Sequence, residues 1–224
     1  MPRPSDDDRA EPGRECPACP RLVAYREDNR SAATDWFNSP VPSFGPTAAR
    51  LLIVGLAPGL KGANRTGRPF TGDYAGDLLY TTLLDLGMAT GTYRASADDG
   101  LTLVDCRITN AVRCVPPANK PTPAEITSCR SYLSETIAAM PRLKVILVLG
   151  RIAHDSTLSA LGARKSQFPF THGRRHGIDD RLALYDSYHC SRYNTNTGVL
   201  TPAMFHEVMK AARDETTASP ASRR

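Results

Sequence analysis

One stretch of the chain, LLIVGLAPGLKGANRTGRPFTGDYAGD at residues 51–77, constrains the fold more than any other. It opens on an apolar run, residues 51–54, which is typical of a fully buried strand. The run then breaks into Gly55-Leu-Ala-Pro-Gly59, a tight turn at the carboxyl end of that strand. In open α/β sheets, ligands bind in the crevice outside the carboxyl ends of the strands. We therefore expect the functional site at this loop.

The rest of the chain alternates strands with helices. Strands are predicted over residues 50–56, 102–109, 144–149 and 182–185, and helices over residues 21–29, 74–86, 122–139, 151–161 and 201–213. The third helix carries the clearest start signal, because Thr122 and Glu125 form a capping box with Pro123 at the first helical position. This alternation predicts a mostly parallel sheet with helices on both faces.

Composition limits the class of protein without identifying it. A chain of 224 residues is long enough for one sizeable domain, and we expect it over residues 15–213 with disordered tails at 1–14 and 214–224. The net charge of +5 weakly favours an anionic partner such as nucleic acid, but many ordinary soluble proteins have a similar charge. No apolar run approaches the roughly 20 residues of a membrane span, and the polar N-terminus is unlike a signal peptide. We expect a cytoplasmic protein.

Four of the six cysteines fall into two groups. Cys16 and Cys19 have two residues between them, and Cys114 and Cys129 have fourteen. In a reducing compartment such thiols are more often metal ligands than disulfides. A tetrathiolate site holds either zinc or an iron–sulfur cluster, and the spacing leaves both open, as it does the alternative of unconnected thiols.

The other two cysteines predict no chemistry of their own. Cys106 lies within a predicted strand and is expected to be a small buried side chain. Cys190 adjoins His189, so a nucleophilic Cys/His pair has to be considered. Adjacent residues of an extended segment point in opposite directions, which argues against that pair.

Three features in a fixed order resemble one family of enzymes. They are Gly55-Leu-Ala-Pro-Gly59 with Phe70-Thr-Gly-Asp73, the four-cysteine spacing, and His189-Cys-Ser-Arg-Tyr-Asn194-Thr-Asn-Thr-Gly. Together they resemble the uracil-DNA glycosylase superfamily, and within it family 5, the iron–sulfur-containing type-b enzymes of prokaryotes. The similarity covers residues 14–213. The relatives more often have proline where Cys190 stands.

The resemblance carries expectations about fold, cofactor and reaction. It implies an α/β/α sandwich around a four-stranded parallel sheet, with a structural [4Fe–4S] cluster on Cys16, Cys19, Cys114 and Cys129. It implies a monofunctional glycosylase that hydrolyses the N-glycosidic bond of uracil, and of other deaminated or modified bases, and leaves an abasic site. The damaged base is flipped out of single- or double-stranded DNA into the enzyme's pocket. We expect a monomer associated with the nucleoid.

Two residues are expected to carry the catalysis. Asp73 would stabilise the cationic sugar, orient the attacking water, or both, although it could instead be only the N-cap of the following helix. His189 would donate a hydrogen bond to O2 of the departing uracil, and a neutral imidazole suffices for this. A histidine at the end of a strand is otherwise more often structural.

The remaining candidates are expected to hold the substrate. Phe70 would stack on the flipped base, unless it only packs in the core, and Asn110 would bind the uracil edge, unless it is a turn residue. The other substrate-binding candidates are Gly55 and Ala57 in the first loop, Asn119 beside the attacking water, and Ser191 and Asn194 in a segment, residues 191–198, expected to enter the minor groove.

Basic residues in two loops are expected to contact phosphates. These are Lys61, Arg65, Arg68, Arg164, Lys165, Arg174 and Arg175.

Two rival functions stay open. One is a non-catalytic, cluster-containing DNA-binding module of the same fold. The other is a nucleotide-binding protein that uses the glycine turn as a phosphate cradle, which the absence of Gly-x-x-x-x-Gly-Lys-Ser/Thr and Gly-x-Gly-x-x-Gly disfavours.

Overall fold

A five-stranded sheet forms the centre of the molecule in the computed structural model, which describes residues 11–217. The strand order is β4-β1-β5-β7-β6. The strands are β1 (Leu51–Gly55), β4 (Cys106–Asn110), β5 (Val145–Leu149), β6 (Arg175–Gly177) and β7 (Ala183–Ser187). The first four of that order, β4, β1, β5 and β7, run parallel, as the sequence predicts.

The sheet has one strand more than expected. β6 pairs antiparallel with β7 at the edge of the sheet, with Arg175 opposite Tyr185. Its three residues, Arg-His-Gly, lie in a polar stretch that is typical of a loop, so no apolar run marks the strand. The predicted strand over 102–109 also divides, because Asp105 takes a left-handed conformation with φ +53°. The residues before it, β3 (Thr102–Leu103), pair instead with β2 (Ala89–Thr90) in a small hairpin.

Helices cover both faces of the sheet. They are α1 (Pro20–Ala32), α2 (Ala63–Thr66), α3 (Tyr74–Asp85), α4 (Pro123–Ala138), α5 (Arg151–Ala160), α6 (Arg192–Asn196) and α7 (Pro202–Thr217). The capping box at the start of α4 forms as predicted, with Thr122 and Glu125 bonded to each other's backbone. The last helix ends at Thr217 rather than near residue 213.

Alternate side chains of each central strand enter two different cores. Leu51 and Ile53 of β1 pack with residues of α3 and α7 on one face. Leu52 and Val54 pack with residues of α4 and α5 on the other. All five positions of β1, β4, β5 and β7 are buried, as expected for parallel strands covered on both sides. The three-layer α/β/α sandwich is therefore confirmed.

The described chain continues on both sides of the predicted limits of the domain, 15 and 213. Glu11 accepts hydrogen bonds from the guanidinium of Arg113 at 2.8 Å and from the backbone N–H of Ser43 at 3.0 Å. Of the predicted tails, 1–14 and 214–224, residues 1–10 and 218–224 lie outside the described residues. Within residues 11–217, no helix combines the length and apolar character of a membrane span.

Candidate functional site

The carboxyl ends of β1 and β4 bring three predicted site residues together. Gly55 and Asn110 are register partners at the ends of these strands. No side chain fits at Gly55, because a Cβ atom there would lie 2.5 Å from the ring of Phe70 and against the amide oxygen of Asn110. Glycine at this position is what lets Phe70 and Asn110 approach the strand end.

Phe70 lies between the core and the site. It is 7% exposed and belongs to the core on the α3 face, so part of its role is packing. Its ring also faces His189, with ring centroids 6.0 Å apart and the planes 31° from parallel. Its backbone is left-handed, with φ +53°. Both roles foreseen for Phe70 are therefore compatible with its position.

Asn110 carries an unpaired polar atom. Its side chain is 2% exposed, and its Oδ1 atom has no hydrogen-bond partner among the described residues. A buried acceptor without a partner costs about 1–3 kcal/mol, so buried acceptors are nearly always bonded. This oxygen, next to Phe70, is placed to accept a hydrogen bond from a ligand.

Asp73 caps a helix with one carboxylate oxygen and turns the other toward the first loop. It is the N-cap of α3, where its Oδ1 atom accepts the N–H of Gly76 at 3.2 Å. The second oxygen, Oδ2, faces the first loop, since a Cβ atom on Gly59 would lie 2.9 Å from it and one on Gly62 would overlap it. Burial raises the pKa of Asp73, and the backbone hydrogen bonds from Gly76 and Ala75 partly oppose that shift.

His189 follows β7 and reaches the same edge of the sheet. Burial lowers its pKa to about 4, so the imidazole is neutral at pH 7. Asn194 donates its side-chain N–H to the backbone oxygen of His189 at 2.8 Å, which fixes the loop. Cys190 ties the loop to the first turn of α3 through its thiol, 3.5 Å from the backbone oxygen of Ala75. Asp73 and His189 therefore lie on one side of the molecule.

Cys190 itself is no nucleophile. Its side chain is fully buried, and burial raises its pKa to about 12, so the thiol stays protonated. Cys106 is likewise fully buried, as its position within a strand predicts.

Three other candidates lie outside the group around Phe70. Asn119 is exposed, with φ +56°, in a short 3-10 helix over Pro117–Asn119. Ala57 packs beside the cysteines rather than beside Phe70. Ser191 caps α6 by accepting the N–H of Asn194 at 3.4 Å.

The four cysteines line one recess of about 350 Å³, part of which is open to solvent. Cys16 and Cys19 come from the segment before α1 and its N-cap, Cys114 from the loop after β4, and Cys129 from α4. Burial raises the pKa of Cys19 and of Cys129, and raises that of Cys114 to about 12. Burial disfavours the charged thiolate form of these cysteines, and a metal ion that binds the thiolates would stabilise that form.

The sulfurs of the recess are not gathered as closely as one zinc ion would hold them. Zinc with Zn–S bonds of about 2.3 Å would hold its four sulfurs about 3.8 Å apart. Among residues 11–217, no three of these sulfurs come within 4.8 Å of one another. The backbone N–H of Arg113 donates to Cys129 Sγ at 3.3 Å, a bond that suits a thiolate ligand.

Two of the basic residues expected on phosphates have other partners. Arg68 is 4% exposed and makes two bonds of 2.8 Å to the carboxylate of Asp99, so it cannot reach DNA. Arg175 pairs with Glu215 of α7. Lys61, Arg65, Arg164, Lys165 and Arg174 are exposed, as that prediction requires.

Sequence reasoning missed one buried polar cluster close to the site. His154, His176 and Asp186 come from α5, β6 and β7, and all three are buried. No local motif predicts this cluster, because its three residues lie apart in the sequence and meet only through the sheet.

Comparison with known proteins gives a family match over most of the chain. The model of the uracil DNA glycosylase superfamily matches residues 42–213. The chain is 45% identical over 203 residues to the type-5 uracil-DNA glycosylase of Thermus thermophilus, which covers 88% of this chain and 92% of that protein. It is 40% identical to the type-5 enzyme of Pyrobaculum aerophilum, over 88% of this chain and 87% of the relative. With the type-5 enzyme of Mycobacterium tuberculosis the identity is 41%, over 88% and 77%. The chain belongs to the uracil DNA glycosylase superfamily.

Proposed function

We propose that this protein is a base-excision repair glycosylase that hydrolyses the N-glycosidic bond of uracil in DNA. The observation that carries the proposal is the buried, unpartnered Oδ1 atom of Asn110, which lies beside Phe70 at the edge that also holds Asp73 and His189. The names of the type-5 relatives support the same activity.

Asn110 and Phe70 would hold the flipped base. Uracil offers the N3–H donor and the O4 acceptor along one edge, and a side-chain amide matches that pair with one acceptor and one donor. Phe70 would stack on the base, since its ring lies beside His189 with the ring centroids 6.0 Å apart. The bases of DNA lose stacking and pairing when they are flipped, so such contacts compensate part of that cost.

Asp73 and His189 would act on opposite ends of the breaking bond. Departure of the base leaves positive charge on the sugar, which the Asp73 carboxylate would stabilise through its Oδ2 atom, and Asp73 could also orient water. The negative charge goes to the base, where neutral His189 would donate one hydrogen bond. The lowered pKa of His189 supports this role, because a neutral donor needs no proton uptake at pH 7.

The four-cysteine recess would hold a [4Fe–4S] cluster. Cys16, Cys19, Cys114 and Cys129 would be its ligands, and the wide spacing of their sulfurs supports a cluster rather than zinc. When bound, the cluster supplies covalent cross-links between the segment before α1, the loop after β4, and α4. Absorbance of the purified protein in the visible range distinguishes the two, because zinc thiolates do not absorb there.

The catalytic assignment is tested by exchanging Asp73 for asparagine. We expect Asp73→Asn to reduce single-turnover excision from uracil-containing duplex DNA by about 100- to 1,000-fold, because a charge that stabilises the transition state is removed. Abasic sites are counted by alkaline cleavage on a gel, and DNA binding is followed by fluorescence anisotropy. Asp77→Asn, an exposed carboxylate on the same helix, is the matched control and should excise normally.

Two results would count against the proposal. Unchanged excision by Asp73→Asn would remove Asp73 from catalysis. Absence of any abasic site with the wild-type holoprotein, while DNA binding persists, would favour the non-catalytic binding module. A panel of damaged bases in single- and double-stranded DNA would then define the substrate range. Action as a monomer at the nucleoid stays a prediction.

A further inference from the structure

The cluster of His154, His176 and Asp186 contains one proton more than its residues ordinarily carry. His154 Nε2 lies 2.8 Å from the backbone oxygen of Phe168. A carbonyl oxygen can only accept, so Nε2 has to carry a proton. His154 Nδ1 lies 2.6 Å from Asp186 Oδ1. A lone pair on Nδ1 at that distance would repel an ionised carboxylate, so a proton must lie between them as well.

The other contacts of Asp186 indicate which partner holds that proton. Its second oxygen accepts from the backbone N–H of Thr171 at 3.0 Å and lies 2.8 Å from His176 Nε2, which donates. Two donors from other elements already point at this carboxylate, so it acts as the acceptor in the cluster. The titratable groups facing His154 within the described chain are Asp186 from β7 and His176 from β6, with Phe170 edge-on to its ring. The proton therefore belongs to the ring of His154.

The cluster is not arranged to bind a metal ion. Both ring nitrogens of His154 are already bonded, one to Phe168 and one directly to Asp186. An ion between His154 and Asp186 would need their ligand atoms to be farther apart than 2.6 Å. Direct hydrogen bonds occupy the positions that a metal would take.

This cluster fixes the segment that leads into His189. Asp186 lies three residues before His189, and the loop over 168–174 wraps that segment. Within the loop, Gly173 donates its N–H to the backbone oxygen of Asp186 at 2.8 Å, and His172 Nδ1 accepts the N–H of Tyr188 at 3.1 Å. The rings of His172 and Tyr188 are stacked with centroids 4.9 Å apart. His154 anchors the start of the same loop through Phe168.

We propose that His154 carries a proton on both ring nitrogens and that, paired with Asp186, it positions the catalytic loop that carries His189. The role assigned to the loop rests on the proposed function. His154 and Asp186 touch neither base nor sugar, so they are positioning residues. A buried charge that is hydrogen-bonded at both ends gives the loop one preferred geometry, because any other would leave the charge unpaired.

The proton is tested directly on the folded holoprotein. The chain has five histidines, and nitrogen-15 NMR distinguishes protonated from unprotonated ring nitrogens. We expect His154 to show two protonated nitrogens at pH 7, and to lose one in Asp186→Asn, where the carboxylate partner is gone. Asp155→Asn is the matched control, because Asp155 adjoins His154 in α5 but pairs with Arg151. An unprotonated nitrogen on His154 in the wild type at pH 7 would overturn the proposal.

Positioning is tested by two further measurements on the same variants. In Asp186→Asn we expect faster hydrogen exchange of the Tyr188 N–H, and single-turnover uracil excision lowered about 10- to 100-fold with DNA binding retained. Asp155→Asn should change neither. Normal excision and normal Tyr188 exchange in a folded Asp186→Asn variant would refute the positioning role.

Failure of the proposed function can be distinguished from failure of the proposal about His154. If the wild type excises nothing, the proposed function fails, whereas the NMR and exchange measurements still decide the proposal about His154. If Asp186→Asn does not fold, the wild-type spectrum decides the charge on His154. His172→Phe, which removes the acceptor for Tyr188 and the contact of His172 with the backbone of Met204, then tests by excision whether the loop over 168–174 positions His189. Unchanged excision in that folded variant would refute positioning.

Discussion

Asn110 and His189 show how burial alone sets the chemistry of single residues here. Within residues 11–217, the Oδ1 atom of Asn110 is a buried acceptor without a hydrogen-bond partner, so a donor from a ligand would stabilise it. His189 is held neutral, because its surroundings disfavour the charged ring. A buried acceptor and a neutral histidine are therefore present at the same edge of the sheet.

The lowered pKa of His189 has a consequence for stability. Because the folded-state pKa of about 4 lies below the ordinary value of 6.5, the unfolded chain takes up the proton first as pH falls. We expect this residue to destabilise the fold progressively between pH 7 and pH 4, by up to about 3 kcal/mol. Chemical denaturation at several pH values measures it, and His189→Asn should flatten that part of the profile. An equally steep profile for the variant would contradict the shift.

At the scale of elements, the turn between α2 and α3 depends on a buried ion pair. Arg68 bonds Asp99 and also donates to Thr71 Oγ1 at 2.8 Å. Its guanidinium lies 5.2 Å from the ring centroids of both Phe44 and Tyr80. Tyr80 in turn donates to the backbone oxygen of Pro69 at 2.7 Å. These contacts hold both flanks of Phe70, whose left-handed backbone is unusual for an aromatic residue.

Removing the acid of that pair should weaken the whole turn. Hydrogen bonds from Arg68 hold the pKa of Asp99 well below its usual range. We expect Asp99→Ala to lower the free energy of unfolding by about 3–5 kcal/mol, because a buried guanidinium is left without its partner. Urea denaturation measures the change. Asp98→Ala, at the exposed neighbouring position, should stay within about 0.5 kcal/mol, and an equal loss there would contradict the argument.

At the scale of the whole molecule, pairing divides the basic residues into two sets. Arg68 and Arg175 are neutralised by Asp99 and Glu215. Lys61 and Arg65 are exposed on the loop that passes over Asp73. The net charge of +5 is therefore a poor guide to DNA binding, which depends on the cations that face the site.

This division can be measured through the salt dependence of DNA binding. We expect the double change Lys61→Ala with Arg65→Ala to reduce the slope of log affinity against log salt by about 2, one unit for each lost phosphate contact. Arg175→Ala is the control and should leave the slope unchanged, since its charge is already paired. An unchanged slope in the double variant would place the phosphates elsewhere.

The layers of the fold could be predicted from the sequence, and so could the edge of the sheet at which the candidate site lies. Continuous apolar runs predict buried parallel strands, and the capping box predicts the start of α4, because these signals come from neighbours along the chain. The ordered motifs selected Asp73, His189, Phe70 and Asn110, all of which lie at the carboxyl edge of the sheet.

The pairing of the polar side chains could not be predicted from the sequence, because it arises from tertiary contacts. The sequence predicts a free cation at Arg68, whereas the fold brings Asp99 to it. The strand β6 has no apolar run because it is an edge strand paired through its backbone. His154 and Asp186 are separated by 32 positions and meet through α5 and β7. Burial and partner choice arise from contacts between distant residues, so no local pattern in the sequence encodes them.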